Sequence, residues 1–380
     1  MFVVAFKMLI GNRAAFIGAI FGIFLAVLLI SQQSAIFLGL LSRSYRIVTA
    51  ISQPDIWIID PSTRGEDLIR SMPKSYLSYV KNVQNVEWAV PIDYLQLPAA
   101  SPSGIYKLAE VYGIDDETLI GAPILIEGNI QDLHRSGGVI IDTISANGFL
   151  AKSLPDGTKV PAKLHDTFEI NGQRAVIIGI GKITQGFYPQ PVIFTTTSQF
   201  QKYSGSNRLE YIIAKTRKNA DVNQVIQEIN AYKQVLAMTD RQFASRVENH
   251  FLKTGILINF GLSVGLGLII GFSIAGQIFY IMTIHNLNYY ALIKALGGGE
   301  KMIVQMIFFQ AFIVGIIGFL LGTAVTLLWG FAITNTTLAF EFPWQLLGLT
   351  GSLTLIICLF TALLSIKKVF RLDPQILMNV

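Results

Sequence analysis

The chain has one cysteine, no paired histidines and four long stretches without any charge. Cys358 has no partner for a disulfide. The polar part of the chain must therefore fold on a hydrophobic core alone, and it is long enough to bury one. The four histidines, His134, His165, His250 and His285, form no H-E-x-x-H pattern or close pair, so none of the usual zinc spacings is met. No G-x-x-x-x-G-K-[ST] loop occurs. Gly297-Gly-Gly-Glu-Lys301 is glycine-rich but lacks the phosphate-cradling spacing and the Ser or Thr that would hold magnesium. A nucleophile elbow is not expected either. No Asp or Glu stands inside an uncharged stretch, which argues against a pump built on buried carboxylates. The expectation is a chain with no catalytic residue, no metal and no cofactor of its own.

What is present is apolar length. Charges vanish between Arg13 and Arg43, Lys253 and His285, Lys301 and Glu341, and Glu341 and Lys367. Each gap exceeds the roughly 20 apolar residues that a helix needs to cross a bilayer. Backbone amides in lipid must be bonded within their own segment, so these spans should be helices. The chain of 380 residues is 52% hydrophobic and 14% charged. Soluble proteins carry about 25% charged residues, and the four spans account for the deficit.

The predicted class is an α-helical membrane protein with four transmembrane helices, one plus three, around a large extracytoplasmic α+β domain. An amphipathic helix over 1–13 precedes the first span at 14–42. Its start resembles a signal peptide, but the apolar run is too long for one and no convincing A-x-A site follows. The polar domain occupies 43–250. The second span covers 251–284, a cytoplasmic segment 285–301, the third span 302–333, an external loop 334–343, the fourth span 344–366 and a cytoplasmic tail 367–380. Lys7 and Arg13, then Lys294 and Lys301, then Lys367, Lys368 and Arg371 flank the spans on one side. That bias puts both termini on the cytoplasmic side and the large domain outside. The net charge of +5 is thus a topology signal, and no nucleic-acid partner is expected.

Within the polar domain, Asp55–Asp60 reads as a strand, Leu68–Val83 as a helix interrupted at Pro73, and Val86–Leu97 and Ile105–Ile114 as strands. A second set follows later, with a strand at Glu210–Thr216, a helix at Asp221–Tyr232 and a strand at Gln234–Met238. These are split βαβ halves with a β-rich insertion of about 115–205 between them. Asn171-Gly172 marks a hairpin in that insertion. Thr239-x-x-Gln242 is a capping box, from which one continuous stalk helix is predicted to run to His285. Small-residue spacings, Gly18 and Gly22 in the first span and Gly261, Gly265, Gly267 and Gly271 in the second, suit close packing with another helix or a dimer partner. Gln32, Gln33, Gln277, Gln305 and Gln310 read as interhelical glue.

The segment Asn288-Tyr-Tyr-Ala-Leu-Ile-Lys-Ala-Leu-Gly-Gly-Gly-Glu-Lys-Met-Ile303 resembles the cytoplasmic signature of FtsX-like and MacB-like ABC permeases, with Lys294, Ala295, Leu296 and Gly297 at its centre. An acidic residue usual near its start is replaced here by Asn288 or Tyr289. Arg371-Leu-Asp373-Pro374 is similar to the family's closing motif, and Phe6–Arg13 to its opening helix. Val111–Asp115, Glu127-Gly128 and Val176–Gly179 are weaker landmarks. The closest branch in appearance is the DevC-like one, permeases of tripartite exporters. The resemblance implies a homodimer in the lipid bilayer, bound to a separate cytoplasmic ABC ATPase dimer that holds ATP and Mg. A periplasmic adaptor and an outer-membrane channel are further implied partners. Leu292, Ile293, Lys294, Ala295, Leu296, Gly297, Glu300 and Lys301 would form the ATPase-coupling element. Three functional readings stay open: an exporter subunit moving a lipid, glycolipid or hydrophobic compound, an FtsX-like or lipoprotein-release-like mechanotransmitter, and a membrane-tethered receptor.

Overall fold

A computed structural model describes residues 1–51, 53–64, 69–153, 158–333 and 336–370. The chain divides into two compact units. One comprises Met1–Gly39, Gly255–Thr334 and Ala339–Val380, the other Leu40–Thr254 and Asn335–Leu338.

The first unit is helical. It contains α1 (Phe2–Gly11), most of α2 (Arg13–Arg43), and α9 (Ile256–His285), α10 (Leu287–Ala295), α11 (Glu300–Ala332) and α12 (Trp344–Phe370). Among the described residues, α2, α9, α11 and α12 are the four helices long and apolar enough to cross a membrane. They pack around Ile23, Val27, Phe279, Ile307, Val314 and Ile357, all essentially sealed from solvent. Small residues permit the close approach. A Cβ at Gly318 or Gly322 of α11 would stand 2.7 Å from Ile23 or Val27 of α2. A buried Ser31–Thr326 hydrogen bond of 2.6 Å joins the same two helices. The outward faces carry Leu262, Leu266, Leu320 and Leu363, each about half exposed or more, as a lipid-facing surface requires.

The second unit is α+β. Its strands are β1 (Ile56–Ile59), β2 (Val86–Ala100), β3 (Tyr106–Ile114), β4 (Leu125–Gly128), β5 (Gly138–Asp142), β6 (Lys152–Ser153), β7 (Lys159–Val160), β8 (Thr167–Ile170), β9 (Gln173–Gly181), β10 (Val192–Thr196), β11 (Tyr211–Thr216) and β12 (Leu236–Thr239). The helices are α3 (Arg46–Ala50), α4 (Ser75–Lys81), α5 (Thr143–Asn147), α6 (Thr197–Ser204), α7 (Val222–Asn230) and α8 (Asp240–Lys253). Strands β12-β1-β11-β2 lie side by side and antiparallel, with α4 and α7 supplying the two βαβ halves. The halves interleave: β1 from the first sits between two strands of the second.

The predicted insertion does not form a sheet of its own. Strand β10 pairs in parallel with β3, so the insertion's main strands extend the sheet of the βαβ halves as β3-β10-β5-β9-β4, and among the described residues only the short β6-β7 ribbon stands apart. The long β2 serves two cores: Val86 and Ala89 enter the one under α4 and α7, while Leu97 and Ala99 enter the one around Val139, Phe168 and Phe200. Asn171 and Gly172 both have positive φ, 49° and 73°, and they close the β8-β9 hairpin as a type I′ turn requires.

Two local expectations change, and one helix boundary is set by the structure. The helix expected from Leu68 begins only at Ser75, because Met72 donates its N–H to the Leu209 carbonyl (2.7 Å) and Pro73 follows; Gly65–Leu68 lie outside the described residues. Helix α2 stops at Arg43, and a turn at Ser44-Tyr45 precedes α3. The 45-residue stalk is not one helix. Helix α8 starts on the predicted capping box but ends at Lys253, where Thr254 bonds back to the Phe251 carbonyl. Gly255 then adopts φ 84°, a left-handed conformation that no continuous helix contains.

Candidate functional site

Two places among the described residues have geometry that bears on the expected transport role. The first is α10 and its exit. Asn286 and Tyr290 are buried while Asn288, Tyr289, Leu292, Ala295 and Leu296 are exposed, so one face of this short helix is anchored and the other is free. Leu292 is 54% and Leu296 80% exposed. The Tyr290 hydroxyl donates to Gln310 of α11 (3.4 Å), and Gln310 donates its amide to the Ala5 carbonyl of α1 (2.9 Å). Three helices are thereby tied through one buried glutamine.

The helix ends in a Schellman motif. Gly298 donates to the Ile293 carbonyl (2.9 Å) and Gly297 to the Lys294 carbonyl (3.0 Å), with Gly297 at φ 89°. The exit is held by a Lys294–Glu300 ion pair of 3.1 Å. Leu292 through Gly297, Glu300 and Lys301 therefore form one contiguous segment, with Ile293 packed inward. Arg371, Asp373 and Pro374 of the tail motif lie outside the described residues.

The glycines separate into two groups. A Cβ at Gly22 would stand 2.7 Å from Ile274, one at Gly18 3.0 Å from Ile278, one at Gly271 2.6 Å from Ala26, and one at Gly267 3.2 Å from Ile30. These four serve α2–α9 packing within the chain. Gly261 and Gly265 have open space around them. The stretch Gly261-Leu-Ser-Val-Gly265 has G-x-S-x-G spacing. It lies inside α9, where Ser263 bonds to the Asn259 carbonyl (3.2 Å), and not on the strand-to-helix turn that exposes a nucleophile.

The second place is a cleft of about 450 Å³ in the α+β unit. Strand β2 contributes Tyr94, Leu95 and Gln96, and β3 contributes Glu110. Phe187 and Tyr188 come from the segment before β10, and Phe251 from α8. Phe187 stacks on Phe251 at 4.8 Å, while Tyr188 is 57% exposed at the mouth. Both glutamates are already occupied. Glu110 pairs with Arg46, which also donates to the Tyr112 hydroxyl (3.1 Å) and the Thr184 carbonyl (3.2 Å). Glu210 accepts from Ser71, the Tyr94 amide and Arg208 at 2.8–2.9 Å. The cleft thus offers aromatic faces, amides and hydroxyls, a set that suits an amphipathic ligand better than acid–base chemistry.

Two further carboxyls are buried nearby in the fold. Asp93 is pushed up to about 7, chiefly by burial, with the negative charges of Glu210 and Asp116 adding to it and Thr197 and Lys74 opposing. Burial also raises Asp142, against bonds from Ser145 and the Val192 amide. Neither these acids nor Arg46 carries a short-range sequence motif. The available signal is weaker: Arg46, Asp93 and Glu110 are charges set among strand-forming or apolar residues.

The family model described as the MacB-like periplasmic core domain matches residues 16–232, and the one described as the FtsX-like permease C-terminal matches residues 261–374. No curated protein matches the chain. Among solved structures, the periplasmic region of MacB from Actinobacillus actinomycetemcomitans is similar at 14% identity, over 53% of this chain and 96% of that one, with a TM-score of 0.39. The extracellular domain of the noncanonic ABC-type transporter YknZ from Gram-positive bacteria is similar at 14% identity, over 49% of this chain and 100% of that one, with a TM-score of 0.35.

Proposed function

Because this chain belongs to the MacB-like and FtsX-like family of ABC transporter permeases, we propose that it is the membrane subunit of an exporter, driven through α10 by ATPases on separate chains. The observation that carries this reading is the exposed apolar face of α10. Leu292 and Leu296 project from a helix whose other side is tied to α11 and α1 through Tyr290, Gln310 and Ala5. A partner that grips the exposed face moves the helices behind it. On this reading two copies of the chain bind a cytoplasmic ATPase dimer holding ATP and Mg. The termini are cytoplasmic, the α+β unit is outside, and an adaptor and an outer-membrane channel complete a tripartite, DevC-like path.

The aromatic cleft supports a substrate-handling role over pure mechanotransmission. Its apolar walls with a few amides and hydroxyls fit a lipid, glycolipid or hydrophobic compound. The break at Thr254-Gly255 points the same way, since a rigid push rod would need α8 and α9 to be continuous.

The test is Leu296→Asp in nanodiscs with the cognate ATPase. Leu296 is 80% exposed, so the fold is unaffected, and an unpaired charge enters the contact. Copurification and stimulated ATP hydrolysis should both fall. Parent-like stimulation would remove α10 from the coupling role. Orientation has its own check in a Cys358→Ala background. Ser103→Cys should react with an impermeant thiol reagent in spheroplasts and Asn288→Cys should not; the reverse pattern would invert the topology.

A further inference from the structure

A second, more polar cleft of about 730 Å³ lies along α8. Among the described residues, the cations Arg64, Arg241, Arg246 and Lys253 line it with His250, and no carboxylate does. On α8 the lining residues recur at three- and four-residue steps, which puts them on one helix face. Arg246 is fixed, donating to the Pro61 carbonyl (2.8 Å) and the Thr63 carbonyl (3.1 Å). Arg64, Arg241 and Lys253 are exposed, and no carboxylate pairs with them among the described residues. Glu248 is on α8 but does not line the cleft. Glu66 and Asp67, next to Arg64 in the sequence, lie outside the described residues.

We propose that this cleft binds a phosphodiester presented by the headgroup of an anionic membrane lipid. Several cations along one open cavity suit phosphate oxygens, which a guanidinium fork can engage in pairs. The lipid source follows from the chain itself. Lys253 is three residues before Ile256, where the apolar helix α9 begins, so covalent reach alone keeps the two within about 11 Å. Leu257 and Ile258, at the start of that helix, are exposed apolar residues. A cation that close to the start of a membrane-spanning helix is at headgroup depth, and exposed cations near a membrane surface attract anionic lipid. The inference rests on α9 spanning the membrane and is independent of any ATPase partner.

The test uses the full chain, delipidated in detergent and then offered phosphatidylglycerol or phosphatidylcholine, with adducts counted by native mass spectrometry. Phosphatidylglycerol should be retained preferentially. Arg241→Gln with Lys253→Gln should lower that retention about tenfold, roughly the effect of one charge-assisted hydrogen bond. Arg241→Lys with Lys253→Arg should keep it. Raising salt from low ionic strength should weaken retention by screening. Soluble glycerophosphoglycerol and inorganic phosphate, each at millimolar concentration, should not displace the lipid. Equal retention of the two lipids, unchanged retention in the double variant, or displacement by either soluble phosphate would overturn the proposal. None of these readouts involves ATP hydrolysis, so failure here is separate from failure of the exporter reading.

Discussion

Arg46 and Glu110 form an ion pair with both side chains almost sealed from solvent, 3% and 5% exposed. Arg46 stands just after the first long helix and Glu110 in the middle of β3, so the pair fixes the start of the α+β unit to its sheet. A Cβ on Gly186 would stand 2.8 Å from the Arg46 guanidinium, so the loop before β10 closes over the charge as well. Breaking such a pair by removing one partner leaves an uncompensated buried charge, which typically costs about 3–5 kcal/mol. Glu110→Gln should therefore lower the urea midpoint of the full chain strongly. Arg46→Met combined with Glu110→Leu should be milder than either single change. Additive losses in the double variant would mean that the two residues do not act as a pair.

Asp93 gives the α+β unit a pH dependence of definite sign. Its carboxyl is pushed up to about 7, chiefly by burial. An unfolded Asp titrates near 3.9. Between roughly pH 4 and 7 the folded chain holds a proton that the unfolded chain has released, so this group's contribution to stability falls as pH rises through that window. The full penalty, at most about 4 kcal/mol, is reached above pH 7. Asp93→Asn should remove it, raising the urea midpoint at pH 8 while changing little at pH 4. A variant whose midpoint is lowered equally at both pH values would show that Asp93 acts through packing alone.

The two glycine groups predict different phenotypes. A leucine at Gly22 must displace Ile274, and a backbone nitrogen of the same helix stands 3.2 Å from its Cβ, so Gly22→Leu should destabilise the subunit itself. Overpacking of this kind typically costs about 1–3 kcal/mol. Gly265 has open space, so Gly265→Leu should leave thermal stability near the parent value. If that face of α9 meets a second copy, the same change should lower the dimer fraction seen by native mass spectrometry. An unchanged dimer fraction would place the dimer contact elsewhere.

The parts of this structure that are legible in the sequence depend on short-range physics. Uncharged length identifies the spans. Two left-handed residues at Asn171-Gly172 identify a hairpin, and Thr239 with Gln242 identifies a helix start. The parts that are not legible depend on partners far away in the chain. The β3-β10 pairing that makes one sheet of the domain and its insertion joins strands separated by six others in sequence. Arg46 looks like an ordinary charge after a span until Glu110 is brought to it. Gly255 is hard to read for a different reason: helix-compatible residues stand on both sides, and only its φ of 84° marks the break. In α10, residue types indicate an exposed apolar face, but the anchoring of the opposite face by Tyr290 through Gln310 needs the fold.

That anchoring makes the end of α10 a place where conformation and contact can be separated by mutation. Gly297 has open space around it, and only its φ of 89° resists a side chain. Gly297→Ala should therefore cost about 1 kcal/mol or somewhat more in backbone strain, without a clash. Gly298 is different. A Cβ there would stand 2.5 Å from the Ile293 side chain and 2.7 Å from the Ile293 carbonyl oxygen, the atom that accepts the Gly298 N–H. Gly298→Ala should open the last turn and displace the Leu296 side chain. If the ATPase reads a fixed position of Leu296, Gly298→Ala should reduce stimulated hydrolysis more than Gly297→Ala does, and both should insert and fold. Equal stimulation in the two variants would mean that the partner tolerates movement at this turn, and would move the contact back toward Leu292.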